Sequence, residues 1–495
     1  MTTMHERGLG APILVLLALI AVGAVAVLAN RSLPLVQDSL AYARASESVI
    51  ENGYDPRPVV ADSALSYEKP ILYAWGSAPL VRALGTHDGL RVSSFLGNVA
   101  YLLAAAYFAR TFARLLPPRG GGVFLWLCAL GPCVVYQFWS AHPGGAFAAL
   151  VLCAWSLTER IVAQPRRWSR VVWWGAAAYA AILLEGYALI LLASCPLYVV
   201  CNWRRVRQAG AGGVRALVAG VFVVGAIACL AALAWKGWHP LARFDGEVGG
   251  LRQYRTSALA ASVKGAWIQL ALAVALQFSF ALVLALRRAA WGRELALPLV
   301  CFAGVYVLGL MPFPTTFFNM RHFVPLFPLA ALVLVRGAAS CAPAARRALL
   351  VAHAITGCAL VLVFNCAPVY RALEPVIPSC EVEWIGPRLS LLDNLRMKQH
   401  VEQKALLDHI DAALPHGAKL YWMDVVYSRD AQHGVYEQAG LVRADIATQY
   451  VSRTDFHPSE RSFFVWSYWP KAPPLDAFGR VTELGRSLYR VDARD

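Results

Sequence analysis

The sequence predicts a polytopic α-helical membrane protein with about 11 transmembrane helices and a small soluble domain at its C-terminal end. Of its 495 residues, 58% are hydrophobic and only 15% are charged, and the mean hydropathy is +0.51. A soluble protein normally carries about a quarter charged residues. Apolar runs of about 20 residues recur along the chain, and each is long enough to cross roughly 30 Å of hydrocarbon.

The apolar runs follow one another with short, mostly basic connections. The longest, 171–200, has arginine clusters at both ends. Two short helices turning at Glu185-Gly186 keep both clusters on one side of the membrane, whereas one tilted helix would separate them. We therefore prefer the hairpin to the single helix. The predicted spans are then 9–29, 90–109, 122–138, 144–157, the two halves of 171–200, 214–235, 265–286, 295–311, 321–335 and 348–366.

Charge predicts the orientation. The chain carries 45 Lys and Arg against 30 Asp and Glu, a formal net charge of +15. Most of the excess lies in short loops between apolar runs, so it orients the helices by the positive-inside rule and does not indicate nucleic acid binding. The N-terminus is predicted to be cytoplasmic, with the first apolar run retained as a signal anchor. The composition favours a bacterial inner membrane with the C-terminal domain in the periplasm.

Two domains are expected. Residues 1–366 form a transmembrane domain, which includes a long first external loop at 30–88. Residues 367–495 have soluble character and predict an α/β or α+β domain, with a helix at 391–414 and strands at 419–423, 462–469 and 486–491. Cys366 and Cys380 flank the entry to this domain, and they are candidates for a disulfide if the domain is exported.

The first external loop is the strongest candidate for a site. It collects acidic residues, whereas Glu185 is the only acid expected well inside an apolar segment. Asp38 lies about eight residues beyond the first span and precedes a helix-like run that includes Tyr42. A carboxylate at the membrane surface can act as a general base toward a hydroxyl or amine. The alternative is a solvated helix N-cap.

Further candidates surround this loop. Lys69, beside Glu68, either holds a phosphate or extends toward lipid headgroups. Glu185 either binds an amine or a sugar hydroxyl or is a water-exposed tip residue. The external histidines His142 and His239, and Arg321 before the tenth run, can each donate to a phosphate oxygen. Their alternatives are surface histidines without a role and an interfacial anchor.

Several motifs are missing from the sequence. It contains no DxD motif, no glycine-rich phosphate loop and no Cys/His cluster with metal-ligand spacing. A nucleotide-sugar donor and a metal or other cofactor are therefore not expected. A donor delivered through the bilayer would instead explain a site at the membrane face.

A family resemblance rests on three stretches of the sequence. The frame Asp38-Ser-Leu-Ala-Tyr42-Ala, followed by Tyr67-Glu-Lys69-Pro-Ile-Leu-Tyr-Ala-Trp75, resembles the first external loop of the lipid A aminoarabinose transferases. More broadly it resembles protein O-mannosyltransferase-like enzymes of the GT-C superfamily. The stretch from Arg321 to Leu329, with its two prolines, resembles that family's R-Y-x-x-P-x-x-P-L helix.

The resemblance implies an enzyme, a glycosyltransferase that uses a polyprenyl-phosphate-linked sugar at an external active site. Asp38 would match the catalytic aspartate, Glu68 the carboxylate beside the lysine, and Lys69 the residue that contacts the donor phosphate. We expect an inverting transfer to an acceptor that is a glycan, a lipid or a protein. The alternative function is a transporter or flippase of lipid-linked sugars, which usually shows two related halves and ionisable groups near the membrane midplane.

Overall fold

The computed structural model describes most of the chain. The residues described are 10–36, 38–55, 71–118, 120–164, 167–185, 188, 190–208, 270–310, 320–373, 381–382, 389–390, 397–423, 439–451, 461–467, 475–486 and 488–493. They form two compact units. Unit 1 takes its residues from Met1–Asn30, Val60–Tyr73 and Arg91–Met397, and unit 2 takes its residues from Arg31–Val59, Ala74–Leu90 and Lys398–Asp495.

Helices dominate the described residues. In chain order they are α1 (Gly10–Ala29), α2 (Asp38–Glu51), α3 (Ile71–Leu84), α4 (Thr86–Thr111), α5 (Gly121–Ala129), α6 (Pro132–Trp139), α7 (Gly144–Ala163), α8 (Trp168–Leu184), α9 (Leu191–Cys201), α10 (Trp203–Gln208), α11 (Leu270–Leu286), α12 (Glu294–Gly309), α13 (His322–Ala339), α14 (Pro343–Asn365), α15 (Ala367–Leu373) and α16 (Met397–Ala413). The C-terminal half of α11 and the first turns of α13 are 3₁₀-helical, and α12 contains a π-helical turn.

Five of the described helices are long and apolar enough to cross a membrane, namely α4, α7, α13, α14 and the part of α1 from Pro12 to Ala29. The count rises to six if α5 and α6 together form one span. Other predicted spans occur as the shorter apolar helices α8, α9, α11 and α12, whereas the predicted span 214–235 lies outside the described residues. The polytopic helical class is confirmed, and the count of eleven stays a prediction.

The predicted span 122–138 is wrong as a continuous helix. It is divided into α5 and α6, which are bent by 67° where Pro132 begins the second helix. A break inside a membrane frees backbone carbonyls that must find other donors. Here Nε2 of the fully buried Gln277 lies 3.2 Å from the carbonyl oxygen of Leu127 and 3.3 Å from that of Cys128. Gly131 leaves room for this side chain, since a Cβ there would clash with the Gln277 amide.

The segment 171–200 is divided as predicted. Helix α8 ends at Leu184, and α9 begins at Leu191. The Glu185 N–H still bonds to the Ala181 carbonyl, whereas Glu185 itself has the extended backbone of a helix C-cap. Both helices pack against α7.

Basic side chains gather at one end of unit 1. Arg336, near the end of α13, donates to the Leu115 carbonyl at 3.2 Å and pairs with Glu294 at 3.3 Å. Gly121, at the start of α5, faces Pro12 near the start of α1, since a Cβ placed on Gly121 would lie 3.9 Å from Pro12 Cγ. We call this the arginine-rich end. The starts of α1, α5 and α14 and the end of α13 lie there, as positive-inside sorting of their loops predicts.

Amide side chains join helices at the opposite end of unit 1. Nδ2 of the buried Asn30 donates to the Asn365 carbonyl at 2.7 Å, just after α1. The Asn365 side chain accepts a 3.0 Å hydrogen bond from Trp139 Nε1 and donates to the Pro132 carbonyl at 3.2 Å. The ends of α1, α6 and α14 are thereby held together where the chain leaves α1 for the first loop.

The C-terminal part of unit 2 contains a five-stranded sheet. Its strands, in spatial order, are β4 (Ala447–Val451), β3 (Lys419–Met423), β5 (Ser462–Ser467), β7 (Leu488–Ala493) and β6 (Gly479–Gly485). β3 pairs in parallel with β4 and β5, whereas β7 is antiparallel to β5 and β6. The predicted strand 419–423 is confirmed with its bounds, and the other two predicted strands agree within a few residues. Two short strands of unit 1, β1 (Glu381–Val382) and β2 (Leu389–Ser390), pair antiparallel.

Residues of the first loop belong to unit 2 together with the C-terminal sheet. Nδ1 of His400, a fully buried residue of α16, hydrogen-bonds to the Pro34 carbonyl at 2.7 Å. This grouping was not expected from the linear order of the chain. The predicted domain boundary at residue 366 stays a prediction.

Candidate functional site

The candidate base Asp38 is the first residue of α2, so the predicted helix after it is confirmed. The Ser39 N–H bonds to the Val36 carbonyl at 3.1 Å and closes the turn that begins the helix. Along α2, Leu40, Tyr42 and Val49 are almost completely buried. The backbone at Asp38 is therefore held by a well-packed helix, whereas the Asp38 side chain lies outside the described residues.

Hydrogen bonds within unit 2 fix α2 against neighbouring helices. The hydroxyls of Ser46 and Ser77 lie 2.9 Å apart. Thr86 donates to Glu47 Oε1 at 2.5 Å. Burial raises the pKa of the Glu47 carboxyl above its usual value, and the Thr86 hydrogen bond opposes this shift. Glu47 therefore contributes to packing of the first loop.

The approach to α2 is held by a second set of polar contacts. Arg31 Nη2 and Asp88 Oδ2 form a 2.6 Å ion pair. The buried His87 contacts Asp88 Oδ1 at 3.2 Å through Nδ1 and the Leu33 carbonyl at 2.9 Å through Nε2. Thus Asp88, like Glu47, has a structural partner in the described part of the chain, and the acids of this loop do not all serve one site.

His142 is buried, with only 1% of its surface exposed, so the alternative of a surface histidine is wrong. It follows Ala141, whose φ of 58° lies in the left-handed region that is unfavourable for alanine. Ser94 supports this turn. Its Oγ lies 2.5 Å from the Gln137 carbonyl and 3.2 Å from the His142 carbonyl, and it accepts from the His142 N–H at 3.4 Å.

The polar face of α4 that supports this turn was missed from the sequence. Arg91 is 1% exposed, donates to the Trp139 carbonyl at 3.0 Å and lies 5.7 Å from the centre of the Trp139 ring. Ser94 also hydrogen-bonds to Tyr73, at the start of α3. Arg91, Ser94 and the buried Asn98 are spaced i, i+3 and i+7, which places them on one side of a helix. That polar spacing inside an apolar span was the available signal.

Two acids are buried among the described residues of unit 1. Glu185 is 5% exposed, which excludes a water-exposed tip residue. Glu159, 4% exposed within α7, contradicts the expectation that Glu185 is the only such acid, because α7 continues to Ala163 beyond its predicted end. Glu159 accepts from Tyr198 OH at 2.6 Å and pairs with Arg114 and Arg205 at 3.0 Å each. It joins elements at the arginine-rich end.

The remaining candidates are only partly described. Glu68, Lys69, His239 and Cys380 lie outside the described residues. Arg321 is in the 3₁₀ turn Met320–Leu326, but its side chain is not described. Within the described residues there is no group of three or more His, Cys, Asp or Glu side chains that could hold a metal ion.

The fold defines a class of protein. It is a fold with a helical membrane part and a C-terminal sheet domain, and two solved structures share it, which confirms the predicted fold class. The similar structures are two crystal structures of ArnT from Cupriavidus metallidurans. The one bound to undecaprenyl phosphate has a TM-score of 0.55 and 12% identity, covering 97% of each chain. The apo structure has a TM-score of 0.56 and 14% identity, covering 96% of this chain and 97% of that chain.

No protein-family model matches the sequence, and no curated protein matches it. At 12% and 14% sequence identity, the similarity to the two ArnT structures establishes the fold.

Proposed function

We propose that this protein is a membrane glycosyltransferase that moves a sugar from a polyprenyl-phosphate donor to an acceptor at the membrane surface. One observation carries the proposal. The fold matches, over nearly the whole length of both chains, a protein crystallised with undecaprenyl phosphate. The Asp38 and Lys69 sequence frame and the helix that begins at Asp38 support the same function.

The proposed reaction needs a base and a stabilised leaving group. Asp38 accepts the proton of an acceptor hydroxyl or amine. The acceptor atom attacks the anomeric carbon from the face opposite the phosphate, so the configuration inverts. The bond from that carbon to the phosphate oxygen breaks, and the electron pair leaves with the polyprenyl phosphate. Lys69, together with His239 or Arg321, stabilises the departing phosphate charge.

Four further residues have supporting roles in this proposal. Glu68, Tyr42, Glu185 and His142 bind or orient the sugar and the donor. We propose that the reaction takes place on the periplasmic side of a bacterial inner membrane, with the N-terminus in the cytoplasm. Arginine clustering at the end of unit 1 where α1 begins is consistent with this orientation.

The test compares external glycolipids and glycoproteins from cells that produce the wild-type protein, Asp38→Asn, Asp38→Ala or Lys69→Ala. Mass spectrometry should detect a sugar modification that depends on the wild-type protein and falls about 100-fold or more when the base is removed. Glu51→Gln is the matched control, since Glu51 is an exposed acid at the end of the same α2 helix. Full modification by a well-expressed Asp38→Ala protein would exclude this mechanism.

The alternative, a flippase of lipid-linked sugars, is separated by an assay without acceptor. Vesicles that contain the purified protein are supplied with a fluorescent polyprenyl-phosphate-linked sugar. The transferase proposal expects no protein-dependent movement of the probe between leaflets. Movement that persists in Asp38→Ala would favour transport.

A further inference from the structure

A groove opens at the arginine-rich end of unit 1, between α5 and the first turns of α14. Its volume is about 380 Å³. Trp126 forms one wall, Arg346 and Arg347 lie at one end, and Leu350, Val351 and Ala354 continue along α14. This groove is not part of the proposed reaction, whose residues Asp38 and Lys69 follow the opposite end of α1.

The two arginines give the groove its charge. Both are exposed, and the described residues include no ion pair for either of them. Other arginines at this end do have acidic partners. Arg336 pairs with Glu294, and both Arg114 and Arg205 pair with Glu159. No acidic side chain lines the groove. Its charge therefore fits an anion, and guanidinium groups bind phosphate oxygens in a bidentate manner.

The apolar part of the groove has the form expected for a lipid chain. Val351 and Ile355 are 50% and 67% exposed on α14, a helix long and apolar enough to span the membrane. They follow the arginines by one to two turns, so positive charge at the helix end gives way to apolar surface toward the bilayer interior. Headgroup and acyl chain of a phospholipid are arranged in the same order.

Trp126 forms a fixed wall of the groove. Its ring meets that of His353 edge to face, with centroids 4.8 Å apart. His353 is fully buried, and its Nδ1 lies 2.8 Å from Ser279 Oγ. The Trp126 side chain is therefore held in place by His353, and less conformational entropy is lost when a ligand binds in the groove.

We propose that this groove binds an anionic phospholipid from the leaflet at the arginine-rich end. Arg346 and Arg347 bind the headgroup phosphate, and Trp126, Leu350 and Ala354 contact the first part of an acyl chain. The site does not depend on the proposed sugar transfer, and its test involves no enzymatic activity.

The experiment is native mass spectrometry of the full-length protein in detergent, titrated with dioleoylphosphatidylglycerol or dioleoylphosphatidylcholine. Wild-type protein should bind the anionic lipid more tightly than the zwitterionic one. In Arg346→Gln/Arg347→Gln, the affinity for phosphatidylglycerol should fall about 10- to 30-fold and the preference should disappear. The control Arg287→Gln/Arg288→Gln removes two adjacent arginines that are also exposed but lie outside the groove, and it should bind as wild type.

A second variant keeps the charge and fills the groove. Ala354→Trp should weaken phosphatidylglycerol binding although both arginines remain. This variant tests the proposed lipid site even if the arginine variant does not fold. Wild-type affinity in both groove variants would overturn the proposal. An equal loss in the Arg287/Arg288 control would also overturn it, since binding would then follow total charge.

Discussion

Nδ1 of His400 lies 2.7 Å from the carbonyl oxygen of Pro34, although 366 residues separate the two in the chain. His400 is fully buried in α16, and Pro34 lies four residues before α2, which begins with the candidate base Asp38. The C-terminal part of unit 2 is therefore connected to the segment that leads into the proposed catalytic residue. This contact gives the C-terminal domain a structural role in placing the first loop.

Replacing His400 with alanine should loosen the segment before α2. The lost hydrogen bond leaves a buried carbonyl without its imidazole donor, which costs about 1–3 kcal/mol. Hydrogen exchange should become faster at residues 33–36 and in the first turn of α2. His400→Asn retains a side-chain N–H donor and should recover part of the protection. Unchanged exchange in His400→Ala would show that this contact does not hold the loop.

Glu159→Gln should destabilise unit 1. The neutral amide keeps the shape but removes the charge that Arg114 and Arg205 pair with, and loss of one partner of a buried ion pair costs about 3 kcal/mol, less here because both arginines are partly exposed. Thermal unfolding in detergent, followed by size-exclusion chromatography, measures the change. Glu294→Gln is the control, because Glu294 is 69% exposed in its pair with Arg336. A loss no larger than in this control would contradict the structural role.

Gln277→Leu should lower stability by about 1–3 kcal/mol, because it leaves the Leu127 carbonyl at the α5–α6 break without its side-chain donor and the Cys128 carbonyl with only the Tyr101 hydroxyl. The same thermal assay applies. Gln208→Leu, at the exposed end of α10, makes the same chemical change outside the core and should have little effect. If the two variants unfold at the same temperature, Gln277 does not stabilise the bend.

Because of Asp445, the stability of the folded protein should depend on pH in the acidic range. Its pKa is held well below the usual value by the hydrogen bond from Arg443 and by the Gly417 N–H, which donates at 2.9 Å. A carboxyl with a depressed folded pKa contributes stability above its unfolded pKa of about 3.9, and this stability is lost as the pH falls toward the folded value. Asp445→Asn should therefore unfold at a lower temperature than wild type at pH 7.

The difference between Asp445→Asn and wild type should shrink as the pH falls below about 4, where the Asp445 carboxyl of the unfolded chain takes up a proton while that of the folded protein stays charged. Scanning calorimetry of the full-length protein from pH 3 to pH 7 measures it. Asp408→Asn is the control, since Asp408 pairs only with Lys404 on the exposed side of α16 among the contacts described. A difference that is constant across this pH range would contradict the assignment.

Much of the helical layout was predictable because local pattern determines it. The bounds of α1, the beginning of α2 at Asp38 and the interruption after Leu184 agree with the sequence expectations. The break at Pro132 was missed because the run 122–138 is almost entirely apolar, and hydropathy does not reveal a bend whose carbonyls accept hydrogen bonds from Gln277, more than 130 residues away. The strands β4 and β6 were missed because they are more polar than the central strands.

The candidate site was predictable in part. The position of Asp38 after the first span followed from the sequence, whereas the burial of His142 did not, because its turn is held by Ser94 on a different helix. Glu159 was missed because a charged residue near the end of an apolar run suggests that the helix has ended. Its three partners, brought together from separate elements, allow the helix to continue.

Composition and periodicity alone determined that this chain is a polytopic helical membrane protein with a C-terminal domain that contains strands, because apolar length and charge placement act locally along the chain. Only the tertiary structure decided which polar side chains are buried and what they contact. Hydrogen bonds such as those from His400 to Pro34, from Gln277 to Leu127 and from Tyr198 to Glu159 join residues that are distant in sequence, and no local pattern encodes such pairs.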